Sequence, residues 1–136
     1  MTRNAYAVWK GGLKDGAGTI STQSGGLKDT AYSFGTRFGD GVGVNPEELI
    51  AAAHSACFSM ALSGQLGERG ITGEIETTAA VTMENLSLTK SALTTTVRAP
   101  GADKAKVEEA ANAAKAGCPI SKALNLEIAL DLTVEV

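Results

Sequence analysis

One stretch near the middle of the chain, ELIAAAHSACFSMALSGQL, limits the fold more than any other feature. It begins at Glu48, just after Asn45 and Pro46. Asn45 suits an N-cap, Pro46 suits the first helical position, and Glu48 completes an Asn-x-x-Glu version of the capping box. The spacing predicts a helix over 46–66. Its body is apolar on nearly every side, and a helix of that kind is buried all round. In a chain of 136 residues, it has to be enclosed by the other elements or by a second subunit.

The material available for enclosing it is thin. Alanine and glycine are abundant and aromatics are 4%. Small side chains remove little apolar area from water, at about 25 cal/mol per Å², and a short chain buries a modest fraction of its surface. A core of this kind is often completed by another copy of the chain, so an oligomer is expected. The length suits one domain over 1–136, or two closely joined halves at most.

The flanking segments read mostly as strands. Residues 4–10 and 17–23 are two strands joined by a Gly-rich turn. Residues 31–38 alternate, with Tyr32, Phe34, Thr36 and Phe38 on one side and Ala31, Ser33, Gly35 and Arg37 on the other. Residues 39–44 form a flexible connection. Residues 74–83 and 86–99 are two further strands turning at Asn85–Leu86. A second helix runs from about 103 to 116 and stops at Gly117. A short one follows, with Cys118 at its N-cap and Pro119 at its first position. Residues 126–136 alternate, with Leu126, Ile128, Leu130, Leu132, Val134 and Val136 on the buried face. Strands paired as antiparallel hairpins around a long helix make an α+β chain rather than a doubly wound sheet.

Charge and composition exclude several function classes. A net charge of −3 without a Lys/Arg cluster offers no electrostatic footprint for nucleic acid or an anionic membrane. No uninterrupted apolar run reaches the roughly 18 residues of a membrane span. The opening MTRNAYAVWKGG has no apolar signal-peptide core, so a cytoplasmic, reducing setting is expected. The two cysteines, Cys57 and Cys118, form no metal-ligand spacing, so no metal or cofactor is expected. A structural disulfide is disfavoured in a reducing compartment. Two readings remain for the cysteines: inert buried thiols or a redox pair.

For redox work a thiolate is needed, because the thiolate is the nucleophile. Burial of Cys57 among Ile50, Ala53, Met60 and Ala61 would instead raise its pKa. Arg37 is the best candidate for a stabilising cation, against the plainer reading of a solvated surface arginine. Glu47 in the first helical turn interacts with the helix dipole, or pins the Arg37 guanidinium through a bidentate pair. Cys118 sits before a helix N-terminus, where free N–H groups favour a thiolate, unless it is merely a capping residue. His54, one turn before Cys57, reads as a packed or hydrogen-bonded core residue rather than as the base of a Cys–His hydrolase, since no third group accompanies it.

Two segments carry a resemblance. NPEELIAAAHSACFSMALS (45–63) and AKAGCPISKAL (114–124) resemble the two signatures of the osmotically inducible protein C family. Its sister group is the organic hydroperoxide reductases. YSFGTRF (32–38), GTISTQSG (18–25) and LEIALDL (126–132) fit the same pattern, so the likeness spans nearly the whole chain. The His-preceded SACFSMALS and the TRF before the helix resemble the osmotically inducible branch. The other branch carries its arginine earlier, where this chain has GAGTIS.

The resemblance implies an intertwined homodimer, with antiparallel sheets wrapped around central helices that carry the reactive cysteine. It also implies a thiol-dependent peroxidase of oxidative and osmotic stress defence. Cys57 would be the attacking thiolate, Arg37 its cation, Glu47 the partner of Arg37, and Cys118 the resolving thiol. The substrate would be an organic hydroperoxide, with hydrogen peroxide less efficient. Met60 and Phe58 are candidates for favouring the organic substrate. The reductant would be an external dithiol, lipoyl-type or a lipoylated protein. The rival reading is a noncatalytic stress-induced dimeric binding protein.

Overall fold

The computed structural model describes residues 1–136. The backbone falls into two compact units, Met1–Leu49 and Ile50–Val136.

In the first unit, β1 (Ala5–Lys10), β2 (Ala17–Thr22) and β3 (Thr30–Tyr32) form an antiparallel sheet in that order. The two strands expected at 4–10 and 17–23 are therefore present. The strand expected over 31–38 is not. It ends at Tyr32, and Phe34–Phe38 turns into a short helix, α1. The reason is local. The Ser33 hydroxyl accepts from the Thr36 N–H at 3.2 Å, and the Thr36 hydroxyl accepts from the Ser33 N–H at 2.9 Å. This reciprocal capping box satisfies two orphan donors at once, which outweighs the period-two pattern around it.

The long helix α2 runs from Pro46 to Glu68. Its start is the expected one: Glu48 N–H donates to Asn45 Oδ1 at 2.9 Å, and Asn45 N–H donates to Glu48 Oε1 at 3.2 Å. Within the second unit, β4 (Glu74–Glu84), β5 (Ser87–Arg98) and β6 (Glu127–Glu135) form the second sheet. β4 and β5 are an antiparallel hairpin, but β6 lies parallel to β5. The chain reaches β6 through α3 (Lys104–Gly117) and α4 (Pro119–Ala123), and a helical crossover returns a strand parallel to its neighbour. The sheets are thus antiparallel except at this pair.

One stripe of α2, made of His54, Phe58, Leu62 and Leu66, is buried at i, i+4 spacing. It shares a core with Leu93 and Val97 of β5 and with Val107, Ala110, Ala111 and Ala114 of α3. Ser59 donates to Thr77 Oγ1 at 2.9 Å, which tethers the helix to β4. The helix is not buried all round within one chain. Ala52, Ala53, Ala56 and Met60 are exposed, Met60 at 77%. This helix has the length and apolarity to cross a membrane, but its buried stripe packs on its own sheet.

The β4–β5 turn consists of Asn85 and Leu86, between paired Glu84 and Ser87. Both turn residues have positive φ, 51° and 61°, as a two-residue type I′ turn requires. Leucine is strained there, and it is 80% exposed. Leu86→Gly should therefore stabilise the protein by roughly 0.5–1 kcal/mol, read as a higher urea midpoint at unchanged slope. An unchanged or lower midpoint would contradict this account of the turn.

Candidate active site

The four residues singled out from the sequence fall into two pairs, one in each unit. In the first unit, Arg37 occupies the last turn of α1 rather than a strand face. Its Nη2 lies 2.7 Å and its Nε 3.0 Å from Glu47 Oε1, with Nε also 3.3 Å from Oε2. A planar guanidinium spanning a carboxylate in this way has its orientation set as well as its charge neutralised. Asn45 Nδ2 donates to the Thr36 carbonyl at 3.2 Å, tying the end of α1 to the start of α2. The Arg37 guanidinium also stands 5.5 Å from the Phe38 ring centroid.

Beside Arg37 is a recess of about 280 Å³ walled by Trp9, Leu13, Tyr32, Phe34 and Phe38. Sequence reasoning missed it. The available signal was that five of the six aromatic residues lie in the first 38 positions. Phe58 and Met60 do not make an open pocket: Phe58 is fully buried in the core, and Met60 projects from the exposed side of α2.

In the second unit, Cys57 on α2 and Cys118 at the start of α4 are both free thiols, packed in the same cluster and near enough to shift each other's ionisation. Their environments differ. Burial pushes the Cys57 thiol up, the neighbouring Cys118 adds to this, and the Ile120 N–H opposes it. Cys118 is more deeply enclosed, and burial alone would raise it too. Its donors outweigh that effect: the Cys57 thiol, the Ser121 N–H and hydroxyl, and the Ile120 N–H hold it below the ordinary thiol value. Cys118 makes no regular side-chain cap to α4, yet its sulfur lies in the field of that helix start. The pair thus favours its negative charge on Cys118. Burial acts on Cys57 as expected for an apolar helix position.

His54 is fully buried and is no base for Cys57. Its Nδ1 is 2.7 Å from Ser91 Oγ on β5, and its Nε2 is 2.8 Å from Ser121 Oγ on α4. With both ring nitrogens engaged, the Cys–His hydrolase reading lacks its geometry. No group of three or more metal-binding side chains is assembled anywhere in the chain.

Residues 39–133 match the family model described as OsmC-like protein. The chain is 48% identical to peroxiredoxin OsmC of Escherichia coli K12, over 95% of this chain and 94% of that protein. This chain belongs to the OsmC family. It is also 32% identical to the organic hydroperoxide resistance protein OhrB of Bacillus subtilis, over 85% of this chain and 89% of that protein. The crystal structure of that OhrB superimposes with a TM-score of 0.63 at 28% identity, covering 97% of this chain and 98% of the other. An OsmC-like protein of Mycoplasma pneumoniae shares the fold at a TM-score of 0.78 and 14% identity, covering 100% and 99% of the two chains. The family resemblance and the α+β fold expected from the two cysteine segments are therefore borne out.

The buried histidine makes a checkable contribution to stability. Burial lowers the folded-state pKa of His54 from 6.5. The unfolded chain then binds the proton more readily, so this contribution is complete above about pH 6.5 and is lost as pH falls through the depressed folded value. Urea midpoints measured from neutral pH downward should fall more steeply for the parent than for His54→Gln. Parallel pH profiles would show that the ring titrates alike in the folded and unfolded chains.

Proposed function

We propose that this OsmC-family chain reduces organic hydroperoxides to alcohols, and hydrogen peroxide less efficiently, through Cys57 and Cys118. The enzyme class, a cysteine-based peroxidase, is that of the relatives named peroxiredoxin and organic hydroperoxide resistance protein. The single observation that carries the finer reading is the adjacency of the two thiols, each of which shifts the other's ionisation, because a sulfenic acid on one is then in reach of the other.

In this reading the Cys57 thiolate attacks the distal peroxide oxygen. The O–O bond breaks, the alkoxide takes a proton and leaves as the alcohol, and Cys57 becomes a sulfenic acid. The Cys118 thiolate attacks that sulfur, hydroxide leaves as water after protonation, and a disulfide forms. An external dithiol, lipoyl-type or carried by a lipoylated protein, reduces the disulfide by two successive exchanges. Arg37 supplies the cation that Cys57 lacks in its own surroundings, and Glu47 fixes the guanidinium. The aromatic recess beside Arg37 suits an alkyl or aryl group and favours organic substrates. No metal or bound cofactor is invoked. The cycle requires a reducing compartment, which fits a cytoplasmic protein of oxidative and osmotic stress defence. The exposed apolar side of α2 supports a homodimer.

Reduced protein treated with one equivalent of cumene hydroperoxide should lose two hydrogens by intact mass. Peptide mapping should place the link between Cys57 and Cys118, and a dithiol should reverse it. Cys118→Ser should instead stop at Cys57 sulfenic acid and overoxidise. Two unreacted thiols after excess peroxide would sink the proposal and favour a binding protein. For Arg37, substitution by Met should slow Cys57 oxidation at neutral pH by about 10- to 100-fold, the effect of one to two pKa units on a thiolate. An unchanged rate in stopped-flow measurements would remove Arg37 from the mechanism.

A further inference from the structure

The peroxidase reading leaves one buried titratable side chain without a task. His54 bridges Ser91 of β5 and Ser121 of α4, at 2.7 Å and 2.8 Å. Ser121 lies three residues after Cys118, in the first turn of α4, and is among the groups that favour the ionised Cys118. No buried side-chain nitrogen or oxygen in the chain lacks a partner.

A neutral imidazole has one donor nitrogen and one acceptor, so the chain of bonds can run in two directions. In the first, Nδ1–H donates to Ser91 and the Ser121 hydroxyl donates to Nε2. The Ser121 proton is then spent on the ring, and nothing from that hydroxyl reaches the cysteine. In the second, the Ser91 hydroxyl donates to Nδ1, Nε2–H donates to Ser121 Oγ, and the Ser121 hydroxyl donates onward to sulfur. A thiolate only accepts, so once Cys118 ionises the second direction alone satisfies every member.

We infer that Ser91, His54 and Ser121 form a one-way donor chain ending on the Cys118 sulfur, with His54 as a positioning residue for the second cysteine. The ring selects which way the Ser121 hydroxyl points. It also joins α2, which carries Cys57, to α4, which carries Cys118. This deepens the peroxidase reading, on which its role in disulfide formation rests, by naming what readies the resolving thiolate. The donor chain itself exists in the reduced protein and is tested without peroxide. Titratable groups nearby on the surrounding elements include Cys57 on α2, Lys90 beside Ser91 on β5, Lys115 on α3, which lines a recess with Ser121, and Lys122 on α4.

In a Cys57→Ser background Cys118 is the one remaining cysteine. Its ionisation can be followed by thiolate ultraviolet absorption against pH, with the Cys57→Ser/Cys118→Ser double variant as the blank. The lysines stay in place throughout. Adding Ser121→Ala should raise the Cys118 midpoint by about one unit, so that about tenfold less thiolate is present at any pH below it. Ser121→Thr, which keeps the hydroxyl, should return the midpoint to near that of the background. Ser91→Ala frees the ring to take either tautomer and should give a smaller rise in the same direction. It also serves as the readout if Ser121→Ala does not fold.

Lowered unfolding temperatures with unmoved midpoints would show that the serines and His54 only hold the core together, and would overturn the inference. Equal shifts for Ser121→Ala and Ser121→Thr would overturn it as well, because the hydroxyl would then carry no part of the effect. The peroxidase reading fails on a separate result: both thiols surviving peroxide in the parent protein, whatever these midpoints show.

Discussion

Burial of one stripe of α2 against the β4–β5–β6 sheet is the interaction on which the second unit depends. Phe58, Leu62 and Leu66 supply most of its apolar area, and a buried side chain of that size contributes about 1.5–3 kcal/mol. α3 completes the same core with Val107 and three alanines. The packing sets the rotation of α2. Once Phe58 points into the core, His54 one turn earlier must be buried beneath it. Cys57, one position from Phe58, is carried to the edge of the core, where it meets Cys118.

That placement creates an electrostatic difficulty that the chain resolves unequally. Two thiols in one low-dielectric corner cannot both ionise easily. The backbone and hydroxyl donors at the start of α4 favour charge on Cys118, and no comparable donor set surrounds Cys57. The two thiols are therefore shifted in opposite directions, Cys57 up and Cys118 down. In the first unit the Arg37 guanidinium is fixed by the Glu47 carboxylate and stands beside an apolar recess.

Much of this was legible in the residues. The Asn45–Glu48 capping box, the helix ending at Gly117, the Asn85–Leu86 turn and the strand over 74–83 all appear where the pattern placed them. Each depends on near neighbours in the chain. Three readings changed. The segment 31–38 alternates like a strand, yet Ser33 and Thr36 cap a helix there. β6 joins the sheet parallel to β5 because of the crossover through α3 and α4. The long apolar helix keeps an exposed side within one chain.

The sequence alone determined the family resemblance, the long helix with its cap and the two cysteine contexts, since caps, turns and periodicity act over a few residues. Only the tertiary structure decided that Cys57 meets Cys118, that Arg37 is held by Glu47, and that His54 is clasped by Ser91 and Ser121. Those partners lie 61, 10, 37 and 67 residues apart in the chain. Contacts at such separations follow from how helices and strands pack, and no local pattern of residues encodes them.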